Sequence, residues 1–129
     1  MSAETDARVW LEYAEADRHS AYSALAVADY RDVAFHCQQA VEKALKALVV
    51  HSTGQRPPYV HNLRQLLDQA VGRSAPASIV DAVLSLNPHY RATRYPGVAD
   101  SPDVYTASRA QRLLRQMDLV LEWVRDRIS

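Results

Sequence analysis

Two short stretches of this chain concentrate side chains able to bind or move charge. The first is Phe35-His36-Cys37-Gln38-Gln39-Ala40-Val41-Glu42-Lys43-Ala44-Leu45-Lys46-Ala47-Leu48. On a helix, Gln39, Glu42, Lys43 and Lys46 fall within one arc, so an amide, a carboxylate and two ammonium groups share the edge of an apolar face. Gln39, Lys43 and Lys46 are therefore candidates for holding a phosphate. The same residues also fit a solvated face, in which Glu42 and Lys46 form an i,i+4 pair worth a few tenths of a kcal/mol. The second stretch, Tyr90-Arg91-Ala92-Thr93-Arg94-Tyr95-Pro96, sets two guanidiniums between two tyrosines. Arg91 and Arg94 have the planar fork that grips phosphate, and Tyr90 and Tyr95 offer faces on which a base stacks. Alternatively the arginines tie this stretch to the first, with Glu42 and Arg94 as a structural pair. His61, placed where a helix should begin, adds a hydrogen bond or an acid–base group.

Other chemistry finds little support. His19, His36, His51, His61 and His89 include no i,i+4 pair and no Cys/His cluster, so no metal site and no cofactor are expected. With three glycines in all, the chain has no glycine-rich phosphate loop. The formal net charge is zero, which disfavours extended non-specific binding to nucleic acid, because that mode depends on a basic excess. Cys37 is the only cysteine. It can form no intrachain disulfide, and Ala34, Phe35 and Val41 around it suggest a small buried thiol rather than a nucleophile.

The elements that must position these groups are helical. From Ala7 to Asp29 the residues Trp10, Tyr13, Ala14, Ala21, Ala24, Leu25 and Ala28 recur at helical spacing. Asp32 is placed to cap a second helix over Val33 to His51, which Gly54 and Pro57-Pro58 terminate. A short helix should follow His61-Asn62, carrying Leu63, Leu66, Leu67, Ala70 and Val71. Another, with Ile79, Val80, Val83, Leu84 and Leu86, should end before Asn87-Pro88. Pro88 to Asp100 reads as an irregular loop, longer than the roughly two to eight residues usual between bundled helices, and long loops are often functional. Ser101 and Pro102 then fit the cap and first position of a last helix, whose stripe is Val104, Ala107, Ala110, Leu114, Met117, Leu121, Val124 and Ile128. The expectation is one all-α domain over residues 1–129, an up-and-down antiparallel bundle of four to five helices. The acidic start Met1-Ser2-Ala3-Glu4-Thr5-Asp6 lacks the features of a signal peptide. No apolar run approaches the roughly 20 residues that span a bilayer, so a cytoplasmic protein without membrane contact is expected.

Taken together, these residues resemble the HEPN domain family (higher eukaryotes and prokaryotes nucleotide-binding). The resemblance rests on three ordered motifs: Gln38, Gln39, Glu42, Lys43 and Lys46; then His61-Asn62-Leu63-Arg64-Gln65-Leu66-Leu67; then Arg94-Tyr95-Pro96 ahead of the last long helix. It implies a homodimer that binds a nucleotide or RNA, or a partner protein. Many members work beside a minimal nucleotidyltransferase, as toxin–antitoxin or accessory pairs. The ribonuclease branch places an Arg, four to six residues and a His near the start of the last long helix. Here no histidine follows Arg94, while Arg31 to His36 and Arg56 to His61 show that spacing elsewhere. A nucleotide- or partner-binding module is therefore the leading expectation. A metal-independent ribonuclease toxin with His61 as general base, and a purely structural dimerisation module, are the alternatives. Every functional version requires the middle of the second helix and the tyrosine-rich turn to converge, so that their cations and carboxylate share one microenvironment.

Overall fold

The computed structural model describes residues 2–96 and 104–129. A 3-10 turn, Ala3–Thr5, leads into α1 (Ala7–Ala26) and α2 (Tyr30–Thr53). Two shorter helices, α3 (Leu63–Val71) and α4 (Ala77–Leu86), a single turn α5 (His89–Ala92) and the long α6 (Ala107–Ile128) complete the bundle. The fold is all-α. Among the described residues no helix is long and apolar enough to cross a membrane.

α2 is the central element, packed against α1, α3 and α6. It buries 14 of its 24 residues, far more than one stripe, as expected of a helix enclosed on several sides. Ala14 and Ala21 of α1 are fully buried. So are Ala40 and Ala44 of α2, and small side chains of this kind let helix axes approach closely. Tyr13, placed by its spacing in the apolar stripe of the first helix, is instead 60% exposed.

Capping sets the helix limits. α2 starts three residues earlier than the sequence suggests, because Asp29 rather than Asp32 is the cap: its carboxylate accepts from the Asp32 backbone N–H. Asp32 then lies in the first turn, where a negative charge favours the helix dipole. The turn before it holds Ala28 at φ 59°, a left-handed conformation uncommon for a residue with a Cβ. Gly54, at φ 71°, closes α2. The stretch expected to be irregular opens instead as a helical turn, since the Pro88 and His89 carbonyls accept from Ala92 and Thr93. The expected cap Ser101 and first-turn Pro102 lie outside the described residues. α6 itself begins at Ala107, where the Thr106 hydroxyl accepts from the Arg109 N–H, so Val104 precedes the helix.

Candidate functional site

Among the described residues, three of the five buried polar side chains, Gln38, Glu42 and Lys46, lie on α2. Burying a carboxylate costs several kcal/mol unless it is paired and hydrogen-bonded, and Glu42, only 2% exposed, has both oxygens engaged. One accepts from Lys46 Nζ at 3.2 Å, one turn along the helix. The other meets His61 Nδ1 at 2.8 Å. A carboxylate accepts, so Nδ1 carries the proton and Nε2 is left for the solvent side of the ring. Unlike Glu42, the His61 side chain is 50% exposed. Gln38 fixes the His61 backbone, its Nε2 donating to the His61 carbonyl at 3.1 Å. Asn62 caps α3 through the Gln65 N–H, and Asn87 at the end of α4 accepts from the Leu63 N–H at 2.7 Å.

The tyrosine-rich turn closes over this assembly. Tyr90 stacks on His61 with ring centroids 3.9 Å apart and planes 15° from parallel. α5 is pinned from beneath by His89, which is buried and hydrogen-bonded through Nδ1 to the Tyr105 hydroxyl at 2.8 Å. Burial, helped by the charges of Arg109 and Arg112, pushes the His89 pKa down to about 4. Thr93 adds a hydroxyl donating to the His89 carbonyl. The middle of α2 and the turn therefore meet, with His61 as the bridge between Glu42 and Tyr90, but the cations of the turn do not share the Glu42 carboxylate.

A cleft of about 560 Å³ results, lined by His61, Asn62, Asn87, Pro88, Tyr90, Arg91 and Tyr95. Of the seven residues proposed from sequence to hold a ligand, His61, Arg91 and Tyr95 meet here. Arg91 is exposed, with its guanidinium 5.9 Å from the centre of the half-exposed Tyr95 ring. The other four go elsewhere. Lys46 is buried on Glu42 and lies 5.5 Å from the Trp10 ring centre. Lys43 bonds Asp17 of α1 at 2.9 Å and Gln39 at 3.2 Å, and Gln39 in turn donates to Gln38. The expected Glu42–Arg94 pair does not form, because Lys46 and His61 occupy the carboxylate. Arg94 lies over the Phe35 ring at 3.4 Å and lines a separate cleft with Arg31, Asp32 and Tyr105. Arg56, the other arginine at ribonuclease spacing, is held by Glu4.

Sequence reasoning missed Asn62 and Asn87 as site residues, and Asp17 as the partner that draws Lys43 away from the site. The two asparagines carried a signal, since both stand at helix boundaries facing the same gap. Asp17 carried none, because its partners Lys43 and His36 lie on the next helix.

The arrangement offers an oriented imidazole, a guanidinium and a tyrosine face on one wall, suited to an anion with an aromatic or planar appendage. The sequence pattern of the HEPN domain matches residues 7–127. No curated protein matches the sequence. Among solved structures, TT1696 from Thermus thermophilus is similar at 31% identity and a TM-score of 0.83, with 93% of this chain and 96% of that one covered. ST0689, an archaeal HEPN homologue, is similar at 27% identity and a TM-score of 0.80, over 96% of this chain and 98% of that one. With its three motifs gathered around α2 and the family pattern running nearly end to end, this chain belongs to the HEPN domain family.

Proposed function

We propose that this protein is a nucleotide-binding helical module whose site is the His61 cleft, and that it works as a homodimer beside a minimal nucleotidyltransferase. One observation carries the reading: a half-exposed imidazole, held by a buried carboxylate, stands in one cleft with Arg91 and Tyr95. Arg91 supplies charge-assisted hydrogen bonds to phosphate. Tyr95 supplies a stacking face, and His61 Nε2 fixes the ligand's orientation. Isothermal titration of the purified chain with purine and pyrimidine nucleotides tests this. Binding in the micromolar range, weakened at least about tenfold by both Arg91→Ala and His61→Ala, is expected. No binding tighter than millimolar removes the nucleotide reading and leaves a structural module. Co-purification with a nucleotidyltransferase encoded alongside tests the partnership.

The Glu42–His61 hydrogen bond also favours a second reading, metal-independent RNA cleavage. A carboxylate that orients an imidazole is a general-base arrangement, and Arg91 would stabilise the charged transition state. Growth arrest on expression, relieved by His61→Ala, would support it; a purified dimer that leaves RNA intact would end it.

A further inference from the structure

The cleft holds fewer cations than the sequence suggests, and that limits how much phosphate it can accept. Four basic residues qualify from the sequence as phosphate ligands: Lys43, Lys46, Arg91 and Arg94. The fold commits three of them elsewhere. Lys43 is paired with Asp17 at 2.9 Å and Lys46 with Glu42 at 3.2 Å, both partly or fully buried. Arg94 lies on Phe35 beside a different cleft. Arg91 is left on the cleft wall, together with His61.

The remaining donors match one phosphoryl group. A phosphomonoester carries about −1.5 to −2 charge near neutral pH. The Arg91 guanidinium fork supplies one positive charge and donors to two of its oxygens. His61 supplies the second charge and the third donor in its doubly protonated form, with Nδ1–H on Glu42 and Nε2–H on the phosphate. A triphosphate brings considerably more negative charge, and proteins usually meet it as a magnesium complex held through one or two carboxylates. Here Glu42, the carboxylate next to His61, is buried with both oxygens engaged. Freeing one for a metal would strand Lys46 or release His61. Among the described residues, the other polar groups lining the cleft are neutral: Asn62 and Asn87 add amides, and Tyr90 and Tyr95 add rings and hydroxyls. We infer that the cleft is built for a nucleoside monophosphate taken up without a divalent cation, with its phosphate on Arg91 and His61 and its base on Tyr95. This inference rests on the His61 cleft being the nucleotide site.

Titration calorimetry on the full chain distinguishes the two levels. The probes are the four ribonucleoside monophosphates, the corresponding triphosphates with and without Mg²⁺, and inorganic phosphate. At least one monophosphate is expected to bind about tenfold or more tightly than its Mg²⁺-triphosphate, unaffected by EDTA. Arg91→Ala, a change at an exposed position that should leave folding intact, is expected to erase that preference. Equal or tighter binding of the Mg²⁺-triphosphate overturns the inference while leaving the site reading standing. Inorganic phosphate binding as tightly as every monophosphate overturns the nucleoside part. No binding of any nucleotide overturns the site reading and this inference with it.

Discussion

The molecule contains the same three chemical groups twice. In one cluster Glu42 binds Lys46 through one oxygen and His61 through the other; in the second, Asp17 binds Lys43 and His36 in the same fashion. The two differ in how solvent is distributed across them. The Glu42 side chain is 3% exposed and His61 50%, a steep gradient from a dry carboxylate to a wet imidazole. Asp17 and His36 are 19% and 25% exposed, with no such gradient. The first cluster presents a group whose orientation is fixed in the core and whose reactive edge meets a cleft. The second clasps α1 to α2. Residue identity alone does not separate them; the direction of burial does.

Breaking the buried carboxylate should have the largest effect. Glu42→Ala leaves Lys46 buried and unpaired, and a loss of roughly 3–5 kcal/mol of stability is expected, read as a fall in the urea midpoint. Acid should separate the two regions next. The His89 pKa of about 4 in the fold lies below its ordinary 6.5, so between those values the unfolded chain holds a proton that the folded chain lacks. The associated stability is complete above pH 6.5 and lost as pH falls through 4. Roughly 3 kcal/mol or somewhat more is involved, at about 1.4 kcal/mol for each pH unit between the two values. Because His89 holds α5, the Tyr90–His61 stack should loosen in this range before the Asp17 cluster does. His89→Gln should flatten the stability slope between pH 6.5 and 4 relative to the unmodified chain.

Smaller effects sharpen the contrast further. Asp17→Ala removes a partly buried pair and should cost about 1.5–3 kcal/mol in chemical denaturation, less than Glu42→Ala, with nucleotide affinity changed less than about twofold. His36→Ala should be smaller still in stability and leave affinity unaltered. If either substitution weakens nucleotide binding as much as His61→Ala does, the two clusters do not have the separate roles assigned to them.

Much of the fold was legible because its signals are local. The 3.6-residue apolar stripe of α2, Gly54 with Pro57-Pro58 after it, and Asn62 before Leu63 each act within a few residues, and each appears where expected. The site was legible in its members but not in their directions. Arg91 and Arg94 are three apart and would share a face on a continuous helix. The helical turn carries on past Ala92, with the Arg91 carbonyl accepting from the Arg94 and Tyr95 N–H groups, yet the two side chains part, Arg91 to the His61 cleft and Arg94 to Phe35. Lys43 and Lys46 are likewise three apart on α2, yet one meets Asp17 on α1 and the other folds back on Glu42. Those choices depend on which helix packs on which flank. The same holds for His61, whose partner lies 19 residues away.

The most direct test follows the two histidines within one sample. Heteronuclear NMR of the imidazole side chains, recorded while a nucleoside monophosphate is added to saturation, reports on both clusters at once. The account predicts that the His61 ring resonances move with the titration while those of His36 stay in place. Movement of His36 with His61 unchanged, or no movement at either ring while the nucleotide is bound, would contradict it.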